Sequence, residues 1–327
     1  FEAADTLGGG TRTAELTEPG FLHDVCSAVH PMGILSPFLR TLPLDNLGLE
    51  WLQPPASVAH PLDDEPAVLL RRSLDETSVA LGIDQNAYRD LISPFLKRPK
   101  TLFADLMAPL GIPRQPWTML RFGWTAIRSA RAVAMRRFST ERARALFAGC
   151  AGHAIMPLEH RLTAALGLIF CISGHVEAWP VARGGSQAIT DALRRYLESL
   201  GGTWETERTI RKMSDLPDAK TYLFDTSPAQ LKLIAGDHLS QRYGRALDRY
   251  RYGPGVFKVD WALDGPIPWR DPNCLLASTV HLGGRFEDIA AAEAAMWRGE
   301  HPERPFVLLC QQSQFDSLRA PGDAHTG

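Results

Sequence analysis

The sequence predicts an α/β protein in which the chain passes more than once between two domains. It has 327 residues, more than one core usually contains, and 45% of them are hydrophobic against 22% charged. The middle of the chain carries apolar residues at helical spacing. The later part adds short runs that are typical of strands. We therefore expect helices and sheet to share a large buried core.

The first third predicts an extended start followed by helices. Residues 1–5 have the pattern of the end of a strand whose beginning is absent, and prolines interrupt the chain between residues 54 and 66. Ser73 or Asp75 is expected to cap one helix, and Asp84 the next. The apolar spacing of residues 117–147, without internal proline, extends a mostly helical block to about residue 173.

The second half predicts alternating helices and strands. Residues 186–200 carry an apolar helical stripe that Gly201 and Gly202 terminate. Another helix is expected to begin near Ser227 and Pro228. Strands are expected over four segments, on β-branched and aromatic content or on alternation: 203–210, 221–224, 256–263 and 306–310.

Composition excludes several classes of protein. A net charge of −2 provides no general attraction for nucleic acid. Five dispersed cysteines without a C-x-x-C pair argue against zinc, iron–sulfur clusters and disulfide frameworks, and predict buried reduced thiols in a cytoplasmic protein. No run reaches the roughly 18 apolar residues that a spanning helix needs.

The most informative motif lies at residues 2–13. A carboxylate at the end of a strand, here Glu2, can accept both ribose hydroxyls of an adenine nucleotide. The glycines that follow, Gly8 to Gly10, would let backbone amides approach a pyrophosphate, and Arg12 could add positive charge. On spacing alone, a plain turn is the commoner meaning of three glycines.

This segment resembles the E-A-x-D-x-x-G-G element of amine-oxidase and carotenoid-desaturase flavoproteins, and the chain resembles the phytoene-dehydrogenase-like branch of these FAD-dependent oxidoreductases. The resemblance implies that Glu2 holds the adenosine ribose and that Gly8 and Gly9 lie near the FAD phosphates. The cofactor-binding residues predicted from the motif and the resemblance are Glu2, Ala3, Gly8, Gly9, Gly10, Thr11, Arg12, His30 and Ile210. Gly10 departs from the family, since many relatives place an arginine there beside the flavin.

Further segments resemble the same branch. Residues 23–31 are similar to the loop that passes near the isoalloxazine, which makes His30 a candidate flavin neighbour; the alternative is a structural hydrogen bond. Residues 179–186 are similar to the P-x-G-G turn, and the strand ending at Ile210 would run beside the adenine. The segments 258–263, 279–284 and 311–321 are also similar, so the resemblance runs through the whole chain.

The resemblance also implies a division into domains. A discontinuous, incomplete Rossmann-like FAD domain is predicted over residues 1–60 and 179–235, with a mixed helical and sheet substrate domain over 61–178 and 236–327. The G-x-G-x-x-G loop that precedes the ribose glutamate by about 20 residues in the family, and a last FAD-binding segment, are not found. We therefore expect the chain to be a fragment that binds FAD poorly and is itself inactive.

The implied activity is removal of hydride from an apolar, isoprenoid or carotenoid-like small molecule, with FAD as first acceptor. Oxygen, a quinone or another carrier would reoxidise the flavin, which needs no protein nucleophile, so no catalytic residue is named. Ser27 and Ser186 lack the hydrolase elbow. A non-catalytic binding or escort protein on the same fold is the alternative, and an NAD(P)-only dehydrogenase is less favoured.

Other polar residues are given structural roles. His153, Glu159 and His160 match no standard ligand spacing, so no metal is expected there. His281 precedes two glycines, which predicts a strand leading into a turn. Seven arginines between residues 121 and 144 would suit peripheral contact with an anionic membrane. A solvated helix face packed by its own aromatic residues is the favoured alternative.

Overall fold

The computed structural model describes residues 1–109 and 111–327. The helices of this part are α1 (Pro31–Leu35), α2 (Leu74–Ala80), α3 (Gln85–Ile92), α4 (Pro99–Leu106), α5 (Pro116–Ala126), α6 (Ala130–Arg137), α7 (Glu141–Gly152), α8 (Thr163–Glu177), α9 (Gln187–Ser199), α10 (Pro228–Ala235), α11 (Gln241–Asp248) and α12 (Phe286–Trp297). The strands are β1 (Thr13–Glu15), β2 (Leu22–Asp24), β3 (Trp51–Leu52), β4 (Ala56–His60), β5 (Val68–Arg71), β6 (Val181–Ala182), β7 (Ala262–Leu263), β8 (Ala277–Leu282), β9 (Val307–Cys310) and β10 (His325–Thr326).

The main sheet has four strands in the order β5-β4-β8-β9. β4 pairs with β5 in antiparallel and with β8 in parallel orientation, and β8 pairs with β9 in antiparallel orientation. All five residues of β4 are buried. Since parallel neighbours need a long crossover, the helical part of the chain lies between β4 and β8 in sequence.

The helices α2 to α8 form one block, as the sequence predicts. Its core is continuous with the sheet and includes the large buried side chains of Leu70, Phe95, Phe103, Phe147 and Trp179. The stretch 117–147 is helical as predicted and is divided among three helices, α5, α6 and α7. The breaks occur where Ser129 and Thr140 each accept a backbone N–H and cap the next helix.

One predicted cap is confirmed and one is corrected. The Ser73 side chain accepts the N–H of Glu76 and caps α2. Asp84 stands at the N-cap position of α3 but does not cap it. Its carboxylate accepts instead from the backbone N–H groups of Ser139 and Thr140, at 2.8 and 2.7 Å. A tertiary contact therefore takes the place of the predicted local one.

The helices predicted near residues 186–200 and 227 are confirmed as α9 and α10. The strands predicted over 203–210 and 221–224 are wrong. Glu207 has φ of +55°, which interrupts an extended run, and residues 205–208 exchange only a few backbone hydrogen bonds with residues 2–4. The start at residues 1–5 is likewise not a strand.

The strand predicted over 256–263 is reduced to β7, which pairs with β10. Val256 and Phe257 are 80% and 92% exposed, so alternation there does not separate an inner from an outer face. The strand predicted over 306–310 is confirmed as β9. Alternation alone cannot supply the neighbouring strand that a ladder requires.

The division at residue 60 remains a prediction. In the structure the predicted domain boundary falls between β4 and β5, which are hydrogen-bonded neighbours.

Across the described residues, no helix combines the length and the apolar character that crossing a bilayer requires.

Candidate functional site

The glycine-rich segment forms a tight 3-10 turn over residues 9–11. Gly8 has φ of +126°, and a Cβ built there would lie 2.8 Å from Thr190 Oγ1 in α9. Gly9 has φ of +52° and no atom within 4 Å of an added Cβ. Gly8 is therefore required by packing and backbone shape, while Gly9 leaves open surface above the turn.

Glu2 and Ala3 lie beside the irregular segment that follows α9. The Glu2 N–H donates to the Glu205 carbonyl, and the Glu2 carbonyl accepts from Arg208. Glu2 is half-buried, and its Oε1 accepts the N–H of Ala4 at 2.8 Å. Among the described residues, no hydrogen bond engages Oε2. Half-buried Ile210 follows two residues after Arg208.

Backbone hydrogen bonds join the glycine turn to residues 23–31, the segment that is similar to the loop near the isoalloxazine. The Gly10 carbonyl accepts the N–H of Ser27 at 3.0 Å, and the Arg12 carbonyl accepts the N–H of Val25 at 2.8 Å. Thr11 Oγ1 donates to the Gly8 carbonyl, and Arg12 Nε donates to the Gly9 carbonyl at 2.9 Å. The structure thus brings the glycine turn and residues 23–31 together.

A buried ion cluster holds this region to the end of the chain. Arg319 donates to Asp24 Oδ2 and to Asp316 Oδ2, both at 2.9 Å, with all three side chains at most 2% exposed. Asp24 also accepts from Thr13 Oγ1 and from the backbone N–H of Ser186. The cluster therefore joins β1 and β2 to residues 184–186, which follow β6, and to residues 316–319.

His30 lies where these segments meet. Its Nε2 is 2.8 Å from Ser186 Oγ, and its ring lies 5.8 Å from that of Trp51. Burial is the main cause that lowers the pKa of His30 to about 4, while Asp24 acts in the opposite direction. His30 is therefore a neutral hydrogen-bonding group at physiological pH.

A pocket of about 300 Å³ opens beside His30. It lies between the loop and α1, the end of α7, the middle of α8, and the strands β8 and β9. Its lining is Ala28, Val29, His30, Pro31, Met32, Gly33, His153, Phe170, Trp179, Thr279, Leu308 and Cys310. Among these lining residues there is no Asp, Glu, Lys or Arg, so the pocket is apolar with a few neutral polar groups.

Three imidazoles extend from the pocket into the protein. His153 lines the pocket, and its Nε2 is 3.2 Å from Nε2 of His281 on β8. His60 on β4 follows, with Nε2 2.7 Å from the Gly284 carbonyl, which fixes the proton of His60 on Nε2. Burial lowers the pKa of His60 and His153 to about 4, and burial also lowers the pKa of His281 well below its ordinary value.

Two more polar groups of the pocket lie on neighbouring strands, a buried threonine and a half-buried cysteine. Thr279 is 2% exposed, and its Oγ1 makes no hydrogen bond with any of the described residues. Burial raises the pKa of the Cys310 thiol to about 11, so the thiol is protonated. Thr279 and Cys310 face each other across β8 and β9. The polar end of the pocket therefore offers neutral donors and acceptors.

Sequence reasoning found only part of this arrangement. It named His30, and it predicted His281 on a strand leading into a turn, which is confirmed. For His153 it favoured a helix cap or a surface role; His153 lies at the C-cap of α7 and is half-buried. It missed His60, Thr279, Cys310 and the partnership of the imidazoles. A histidine at the end of each of two buried strands was the available signal. Cys26 is exposed and Cys310 is half-buried, which corrects the prediction of buried thiols for these two residues.

The imidazoles do not form a metal centre. Within residues 1–109 and 111–327, no group of three or more His, Cys, Asp or Glu side chains is arranged to hold a metal ion.

Comparison with solved structures shows the fold. The chain aligns over 99% of its length with a protein from Pyrococcus furiosus, at 15% identity and a TM-score of 0.54, covering 71% of that chain. It aligns to the same extent with a double mutant of putrescine oxidase redesigned in its cofactor binding, at 16% identity and a TM-score of 0.55, covering 68% of that chain. A single mutant of that oxidase gives 14% identity, a TM-score of 0.53 and coverage of 67%.

No protein-family model and no curated protein matches the chain. At these identities the likeness concerns the fold: helix and sheet combined as in putrescine oxidase.

Proposed function

We propose that this protein is an FAD-dependent oxidoreductase, a dehydrogenase or desaturase that removes hydride from an apolar, isoprenoid or carotenoid-like molecule. The observation that carries the proposal is the mostly apolar pocket beside His30. One wall of that pocket is the loop that the glycine turn holds in position. A fold shared with an oxidase, and the sequence resemblance to amine-oxidase-type flavoproteins, support the same conclusion.

The residues of the glycine segment are compatible with one end of FAD. Glu2 has a half-buried carboxylate for a ribose, Gly9 leaves open backbone for a pyrophosphate, and Arg12 carries a positive charge within the same turn. His30, on the pocket side, would be the neighbour of the flavin ring. Bound FAD would accept the hydride that the substrate loses.

The pocket favours a neutral substrate. A protonated amine would lose its hydration there without meeting a carboxylate, because the lining residues include no Asp or Glu. Phe170, Trp179 and Leu308 provide apolar contact instead. Thr279 and His153 can orient one neutral polar group of the substrate. The pocket residues thus bind, orient and exclude water, and the electron acceptor that follows is oxygen, a quinone or another carrier.

Flavin spectroscopy tests the proposal. The protein expressed from its complete coding sequence should purify with flavin absorbance, and an isoprenoid substrate should bleach it under anaerobic conditions. Colour should return with oxygen or a quinone. A colourless protein that still binds isoprenoids would show the non-catalytic binding protein instead.

A further inference from the structure

The outer face of α5 carries large apolar side chains that are not covered by protein. At spacings of three and four residues on one side of the helix, the exposed fractions are 82% for Trp117, 60% for Leu120, 68% for Trp124 and 54% for Ile127. The inner side of α5 buries Phe122, Thr125 and Ala126. The outer residues are therefore not needed to hold α5 on the protein.

This arrangement corrects the interpretation favoured by the sequence, in which the aromatic residues pack the basic stretch. Phe122 and Phe138 are buried, but the two tryptophans are not. Isolated exposed apolar residues are common on soluble proteins. Four on one helical face form a contiguous surface, which marks an interaction site.

A basic groove adjoins the same face. It has a volume of about 300 Å³, and its polar lining consists of Arg128, Arg136, Arg137 and Thr125, without a carboxylate. The Arg128 guanidinium lies 5.0 Å above the Trp124 ring, so aromatic and basic parts are continuous. By contrast, nearby Arg131 is neutralised by Glu159 and Glu287.

The three groove arginines carry their charge unopposed. Among the described residues, none of Arg128, Arg136 and Arg137 has an acidic side chain within ion-pair distance, whereas many surface arginines of this protein do. Further exposed cations lie toward the other end of α5, where Gln115 reaches the Arg98 carbonyl. Those exposed cations are Lys97, Arg98 and Lys100.

We propose that the outer face of α5, together with the groove of Arg128, Arg136 and Arg137, docks on the surface of an anionic phospholipid bilayer. Tryptophan rings prefer the depth of lipid headgroups, and arginines bind phosphate oxygens. Basic residues beside an anionic leaflet each contribute attraction, while the apolar face enters the boundary of the acyl chains. A soluble anion would account for the groove but not for the exposed tryptophans.

The docked face lies one helix away from the pocket. The inner side of α5 packs against α8, and Phe170 of α8 lines the pocket beside His30. A protein docked in this way would hold its pocket close to a lipid phase. The docking itself does not depend on the proposed redox activity.

Vesicle sedimentation tests the docking with phosphatidylglycerol–phosphatidylcholine and pure phosphatidylcholine vesicles. Binding is expected to the anionic vesicles, roughly tenfold or more above the neutral ones, and to weaken as salt rises. The variant R128E/R136E/R137E should remove that preference. The variant W117S/W124S should weaken binding at least tenfold, and fluorescence quenching by brominated lipid should fall with it. All of these side chains lie at or near the surface, and circular dichroism checks the fold.

The matched controls are Arg40→Glu and Phe257→Ser, which alter an exposed cation and an exposed apolar residue far from α5 in sequence. Both should bind anionic vesicles as the unchanged protein does. Equal loss in these controls would overturn the proposal, as would equal binding to neutral vesicles. If inorganic phosphate abolished vesicle binding at low millimolar concentration, the groove would be an ion site instead. If the protein bound no vesicles but formed dimers that W117S/W124S abolished, the outer face of α5 would contact a second copy of the chain instead.

Discussion

At the residue scale, the buried guanidinium of Arg319 is neutralised by two buried carboxylates. Arg319 lies between Asp24 and Asp316 with almost no exposure, and its remaining nitrogen donates to the Ala182 carbonyl at 3.1 Å. The imidazoles near the pocket avoid the cost of charge in another way, because burial keeps them neutral. Both arrangements avoid an uncompensated buried charge in the region that surrounds the candidate site.

Replacing Arg319 by methionine should destabilise the protein by about 3–5 kcal/mol, because two buried carboxylates would lose their partner. Urea denaturation measures the change. The matched control is Arg298→Met, whose partner Glu300 is exposed, and it should cost less than about 1 kcal/mol. Equal losses in the two variants would show that the buried cluster contributes nothing special.

Acidification should lower the free energy of unfolding between pH 6.5 and 4. Folded His60 and His153 have pKa values of about 4, so they stay neutral in this range, while the same imidazoles in the unfolded chain take up protons below about pH 6.5. Stability falls with pH wherever the unfolded state binds more protons. Buried Glu293, whose pKa burial raises to about 7, acts oppositely between pH 4.5 and 7.

The variant His60→Asn isolates one histidine from that sum. Its unfolding free energy should decline with acid less steeply than that of the unchanged protein, by up to about 1.4 kcal/mol per pH unit. Denaturation at several pH values measures the slope. The exposed His238→Asn control should keep the original slope. If His60→Asn left the slope unchanged, the His60 imidazole of the unchanged protein would take up its proton equally in the folded and unfolded states.

At the scale of elements, α7 is fitted closely to the sheet. A Cβ built on Gly149 would lie 2.4 Å from His281 Nδ1 and 3.1 Å from His60 Nδ1. This glycine lets α7 approach β4 and β8 closely enough for the imidazoles to lie between them. Gly123 in α5 has no atom within 4 Å of an added Cβ. The position of Gly149 therefore has no room for a side chain, whereas the position of Gly123 has room for one.

The pair makes a sharp test. Gly149→Ala should cost about 1–3 kcal/mol, because overpacking forces the helix or the imidazoles to move. Gly123→Ala should stabilise by up to about 1 kcal/mol, since alanine favours the helix and meets nothing. Thermal denaturation of both variants measures the difference. A Gly149 variant as stable as the Gly123 variant would show that α7 does not constrain the imidazoles.

At the scale of the whole molecule, the site is assembled from distant parts of the chain. The pocket walls come from the loop before α1, from α7 and α8, and from β8 and β9. The ion cluster connects residues 24 and 319. Docking of α5 on a membrane would involve still another part of the surface. The candidate function therefore depends on the complete fold and not on one motif.

Much of the local structure could be predicted from the sequence. The stripe of α9, the Ser73 cap, the start of α10 and the strand β9 follow from spacing and from side-chain chemistry within a few residues. Strands at 203–210 and 256–261 could not be excluded in this way. A strand is stable only beside a partner, and the partner is determined by residues far away in sequence.

The sequence by itself determined that helices and sheet are combined, where the helical block lies and that the glycines form a turn, because helix spacing, capping and turn conformation are local properties of the chain. Only the tertiary structure decided that His60, His153 and His281 meet, that Arg319 neutralises Asp24, and that the tryptophans of α5 remain exposed. These outcomes depend on burial and on contacts between residues separated by 100 or more positions, which no local pattern records.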